Sequence, residues 1–125
     1  MKNNVGKIGW VDLTTENAEK IRDFYAKVTG WEPQSLSMGD YNDFVMLSPN
    51  NDPISGICHK KGSNKELPNQ WLIYITVEDI KKSVDQCIAL GGKIIAGPKD
   101  YGDKAKYCII EDPSGAVAAL YAEND

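Results

Sequence analysis

Histidine is almost missing from this chain: His59 stands alone among 125 residues. A single imidazole leaves little room for a histidine-rich metal centre. A basic excess is missing too. Fourteen Lys and Arg face 18 Asp and Glu, for a net charge of -4, so the basic patch expected of a nucleic-acid partner is not there. That balance suits a neutral or cationic ligand. Cysteine is sparse: Cys58, Cys87 and Cys108 are far apart, odd in number and form no C-x-x-C. This excludes a disulfide framework and the usual zinc spacings. The three thiols read as reduced, buried small hydrophobes. With no signal-peptide pattern at the start, the expectation is a cytoplasmic protein. No apolar run approaches the ~20 residues needed to cross a bilayer, so no membrane partner is expected. G-x-G-x-x-G, P-loop, G-x-S-x-G and H-E-x-x-H motifs are all missing. A Ser/His/Asp set can be assembled only by choosing residues freely.

What is present is an ordinary globular composition, 42% hydrophobic and 26% charged, at the length of about one domain. Lys7 to Leu13 alternates as a strand. Thr14, Thr15 and Glu16 supply a helix start. Ala18, Ile21, Phe24, Tyr25 and Val28 then fall at helical spacing, and Gly30 closes the helix. Strands are predicted at Trp31 to Ser37, Asp43 to Ser48 and Ile54 to Lys60, separated by turn-forming clusters. Residues 62–69 read as a linker.

After the linker the pattern returns. Gln70 to Val77 reads as a strand. Glu78 or Asp79 caps a helix whose apolar face is Ile80, Val84, Cys87, Ile88 and Leu90, and Gly91-Gly92 ends it. Lys93 to Ala96, Tyr107 to Glu111 and Ala116 to Ala122 read as strands, with Gly97-Pro98 and residues 112–115 as turns. The order is βαβββ, linker, βαβββ, an internal duplication visible in pattern. The fold expected is α+β. Two tandem modules, about residues 5–61 and 70–123, would build one domain, a curved half-open barrel with a central cleft.

An ordered set of landmarks carries a resemblance. Asp23-Phe24-Tyr25 followed by Thr29-Gly30-Trp31, then Thr76-Val77-Glu78-Asp79, Leu90-Gly91-Gly92-Lys93, Gly97-Pro98 and Asp112-Pro113-Ser114-Gly115 together resemble the glyoxalase/bleomycin-resistance (vicinal oxygen chelate) superfamily. Trp71-x-x-Tyr74 followed by Val77 is similar to a bacterial branch of it. The resemblance implies paired modules, a small-molecule ligand in the cleft and a homodimer. In the metal-using members, ligands such as His and Glu come from the first and last strands of each module. Carried onto this chain, those positions fall at Trp10, Leu72 and Ala119, with the fourth at Ile57 or His59. Three of the four are apolar, so neither metal nor other cofactor is expected. Asp12, Asp43, His59 and Tyr74 could serve as substitute ligands, but no spacing supports them.

If Trp10 faces the cleft, alternation places Asp12 there as well. Leu72, Tyr74 and Thr76 share the cleft face of their strand, while Trp71, Ile73 and Ile75 would pack on the helix. Val117, Ala119 and Tyr121 line the last strand. The expected ligand-binding wall is Trp10, Asp12, Leu72, Tyr74, Val117, Ala119 and Tyr121, with His59 beside it. Trp10 is either a plug in the space an ion would take or a stacking surface for a flat or cationic compound. Asp12 either orients a cation, acts as general base, or is satisfied at the cleft rim. His59 is either an acid/base or, given Lys60-Lys61, part of an exposed strand end. The first functional reading is metal-free capture of an aromatic or cationic compound. The second is a lyase- or isomerase-like enzyme using Asp12 or His59. The third is a filled cleft that leaves mainly a dimer partner.

Overall fold

The computed structural model describes residues 3–124. Its elements are β1 (Ile8–Thr15), α1 (Ala18–Thr29), β2 (Glu32–Ser37), β3 (Asn42–Leu47), β4 (Pro53–His59), β5 (Trp71–Thr76), α2 (Ile80–Ala89), β6 (Lys93–Tyr101), β7 (Ala105–Glu111) and β8 (Val117–Glu123), with a 3-10 turn at Gly62–Asn64 between β4 and β5. The class is α+β, and the order is the doubled βαβββ. The chain divides into two compact units. The first is Trp10–Trp71. The second joins the N-terminal segment through Gly9 to the chain from Leu72 onward. The division therefore falls inside β1 and at the start of β5, rather than in the 62–69 segment. Backbone bonds explain the transfer of the N-terminal segment: Gly6 N–H donates to Thr76 O and Thr76 N–H donates to Lys7 O.

In the first unit, β3 pairs antiparallel with β2 and β4, and β1 runs parallel to β4. Thr14 and Thr15 belong to β1, not to the helix start. β-Branched residues fit a pleated strand, and here they pair with Cys58 and His59. The helix is capped instead by Asn17, whose side-chain oxygen accepts from Lys20 N–H at 3.3 Å. Gly30 ends it with φ 82, a left-handed conformation, and donates its N–H to Ala26 O. Ala18, Phe44, Met46 and Ile57 form the core under α1, joined by Ile21, Tyr25, Trp31 and Trp71. Phe24 and Val28, expected on the buried face, are 55% and 64% exposed. Phe24 packs edge-on against Tyr25 instead of entering the core. Trp71 packs on the α1 side, donating its indole N–H to the Tyr25 hydroxyl at 3.0 Å. Leu67, inside the expected linker, is buried.

In the second unit, β8 lies parallel to β5 and antiparallel to β7, which pairs in turn with β6. Asp79 caps α2, accepting from the N–H groups of Lys81 and Lys82. Ile80, Cys108, Leu120 and Ala122 form the core on the α2 side, with Ile75, Val77, Val84, Ile94 and Ile110 packed on it. Ile88 and Leu90 were expected on the apolar helix face, yet both are exposed. Gly97-Pro98 is not a turn: β6 continues through it to Tyr101, with register shifts between Ile94 and Lys99. Such irregularity is at home on β6, whose only strand partner among the described residues is β7, where a proline's missing N–H breaks no second ladder.

Candidate functional site

In the first unit, side chains alternate across β4. Ile57 packs with Ala18 of α1, so Gly56 and Cys58 face the other way. On that opposite face, Asp12 of β1 is the register partner of Gly56. The Trp10 indole N–H donates to Asp12 Oδ1 at 2.6 Å. A β-carbon on Gly56 would overlap Asp12 Oδ1 and come within 3.5 Å of Trp10 Nε1. Both Trp10 and Asp12 are half-buried. The neighbouring indole is thus one partner that answers the Asp12 carboxylate. The ring face of Trp10 is held in one orientation by a charge-assisted bond, which is stronger than a neutral one. Cys58 shares this face. Burial pushes its thiol up, and the carboxylates of Asp12 and Asp43 add to that, so Cys58 stays protonated and inert at neutral pH.

His59 lies on the other face of β4. It is 5% exposed and packed against the Tyr41 and Phe44 rings. Its Nε2 is 3.0 Å from Glu19 Oε1 of α1, its Nδ1 is 3.3 Å from Asp43 Oδ1, and its backbone N–H donates to the same Asp43 oxygen at 2.8 Å. The expectations that His59 joins the Trp10 wall or ends an exposed strand are corrected by this placement. Alternation puts it on the α1 side with Ile57, and two carboxylates engage its ring nitrogens. It is a structural clasp between α1, β3 and β4. The bond from His59 holds the Glu19 carboxyl below the ordinary range.

In the second unit, Ile75 and Leu120 pack toward α2, so Leu72, Tyr74, Thr76, Val117, Ala119 and Tyr121 occupy the opposite face. Tyr74 pairs with Ala119 and Thr76 with Tyr121. Leu72 and Ala119 are buried, at 1% and 0%. Tyr107, the cross-strand partner of Tyr121, lies on the same face. Tyr101 makes edge contacts with both, at centroid distances of 6.3 and 6.2 Å. Ile73, expected on the helix side, is partly exposed. A separate open groove of about 410 Å³ lies beside α2, between Cys87, Leu90, Ile110, Pro113 and Leu120.

A divalent ion needs several donors converging at about 2 Å. Trp10 offers an N–H already given to Asp12. Leu72 and Ala119 offer no donor atom. Among the described residues no group of three or more His, Cys, Asp or Glu could hold an ion. The side chains at these positions do not fit the metal of the metal-using members.

Gly56, Glu19, Tyr101 and Tyr107 were not among the residues expected to shape a site, and Asp43 was named only as a substitute metal ligand. A glycine inside a strand is a signal for close approach, and Gly56 carried it. Glu19 and Asp43 gave none, because their link to His59 spans 40 and 16 positions.

The profile of the Glyoxalase/Bleomycin resistance protein/Dioxygenase superfamily matches residues 7–120. The relative named "Putative glyoxylase CFP32" from Mycobacterium bovis is 29% identical over 121 residues, which are 95% of this chain and 46% of that protein. "Anthracycline biosynthesis protein DnrV" of Streptomyces peucetius is 27% identical over 111 residues, 89% of this chain and 39% of that one. The chain thus spans less than half the length of these curated relatives. Among solved structures, a superfamily member from Vibrio splendidus superposes with a TM-score of 0.59 at 16% identity, covering 90% of this chain and 96% of that one. Methylmalonyl-CoA epimerase from Streptomyces coelicolor gives 0.57 at 11%, covering 97% and 99%. These likenesses support the fold. The profile match over residues 7–120, together with the doubled βαβββ order, makes this chain a member of the Glyoxalase/Bleomycin resistance protein/Dioxygenase superfamily.

Proposed function

We propose that the chain is a metal-free small-molecule-binding protein of the glyoxalase/bleomycin-resistance type, capturing an aromatic or cationic compound. The observation that carries this reading is the Trp10–Asp12 pair: a half-buried indole fixed by its own N–H to a carboxylate. An oriented indole face stacks flat rings and attracts cations, and the adjacent negative charge adds to the attraction for a cation. Within the second unit, Tyr74 and Tyr121 stand on a face of their own. The position of His59 counts against acid–base chemistry there, since a substrate atom cannot reach an imidazole that is 5% exposed.

The reading extends to a homodimer working in the cytoplasm. Among the described residues no helix is long and apolar enough to cross a membrane. A fluorescence screen of flat organic cations and neutral aromatics tests it. Binding should quench tryptophan emission in the wild type, and the quenching should vanish in Trp10→Phe, with Trp31 and Trp71 as background emitters. Quenching that survives in Trp10→Phe would overturn the reading.

A further inference from the structure

We propose that Gly56 is a positioning residue for the Trp10–Asp12 pair, an inference that rests on the binding role just given to that pair. The carboxylate of Asp12 occupies the volume that a side chain on residue 56 would fill. The indole N–H reaches Asp12 Oδ1 only while the carboxylate lies there. β4 is not free to retreat and make room. Ser55 and Ile57 on either side of Gly56 are both fully buried, and Gly56 and Ile57 are in register with Asp12 and Leu13 of β1. By lacking a side chain, residue 56 therefore lets the carboxylate lie there, and the carboxylate in turn accepts from the indole.

The sign of one substitution separates this role from ordinary strand chemistry. In a strand interior glycine is normally the weaker residue, and alanine strengthens it. At position 56 the extra carbon instead displaces Asp12 and releases the indole.

The experiment is a ¹H–¹⁵N spectrum of the full chain, in which the three indole N–H groups of Trp10, Trp31 and Trp71 are resolved and Trp10 is assigned with Trp10→Phe. Asp12→Ala and Gly56→Ala should each move the Trp10 resonance upfield by several line widths. The Trp71 resonance, set by Tyr25, should stay in place. Gly56→Ala should lower the melting temperature in the wild-type background, yet leave it equal or higher in the Asp12→Ala background, because the collision partner is gone. An unmoved Trp10 resonance in Gly56→Ala overturns the proposal. So does a melting temperature that falls equally in both backgrounds. If Gly56→Ala alone does not fold, the comparison of Asp12→Ala with Asp12→Ala/Gly56→Ala still decides. Trp10 moving in Gly56→Ala while no organic cation quenches the wild type would uphold the positioning role and defeat the ligand reading, so the two fail separately.

Discussion

Glu19 of α1 reaches His59 of β4, its carboxylate oxygens 3.0 Å from the imidazole Nε2. This contact ties the start of the helix to the end of a strand 40 positions later. It has a consequence for acid stability. The hydrogen bond from His59, and then a backbone hydrogen bond, lower the carboxyl's affinity for protons in the folded chain. The unfolded chain therefore binds more protons between the lowered value and the ordinary one, and stability rises with pH through that window. The stabilisation is present above the ordinary glutamate value and is lost as pH falls through the lowered one. Glu19→Gln should melt below the wild type at neutral pH, and the gap should close on acidification through the carboxylate range. Melting curves across that range are the check, and a gap independent of pH would contradict it.

Ser55 makes the opposite prediction. Its hydroxyl is fully buried on the α1 side of β4 and has no hydrogen-bond partner among the described residues. A buried hydroxyl without a partner costs stability and returns none. Ser55→Ala should be neutral or stabilising by about 1 kcal/mol, read from urea unfolding at constant slope. A loss of that size would show that the hydroxyl is satisfied in solution.

Two of the three thiols should resist alkylation. Burial pushes both Cys58 and Cys108 up, and the thiolate is the reactive form. Iodoacetamide at neutral pH should leave both unmodified in the native chain and label them after unfolding. Mass spectrometry of the digested protein is the check, and native labelling of Cys58 would contradict its placement between two carboxylates.

The doubled βαβββ order was legible because its signals are local: period-two alternation in strands, helical spacing after a cap, and the glycines Gly30 and Gly91 after the helices, both at positive φ. Errors fell where local rules compete. Thr14 and Thr15 suit a cap or a strand equally well, and pairing with β4 decides. Gly97-Pro98 has turn chemistry but lies in a strand with an open side. Phe24 and Val28 have the right spacing, yet exposure shows that the core takes only Ala18, Ile21, Tyr25 and Ala26 from the helix. The site was half legible. Alternation correctly put Trp10 and Asp12 on one face, because period two needs only neighbouring residues. The burial of His59 depends on Asp43 and Glu19, which no short-range pattern joins to it.

The proposed binding role requires the Trp10 face and the Asp12 charge to hold a flat or cationic compound together. Isothermal titration with a panel of planar organic cations, proflavine among them, measures this directly in the wild type, Trp10→Ala and Asp12→Ala. An oriented ring and a partly desolvated charge each contribute about 1–2 kcal/mol. Each substitution should therefore weaken binding by roughly 5- to 30-fold, a free-energy difference read through the affinity arithmetic. Equal dissociation constants in all three proteins would contradict the account.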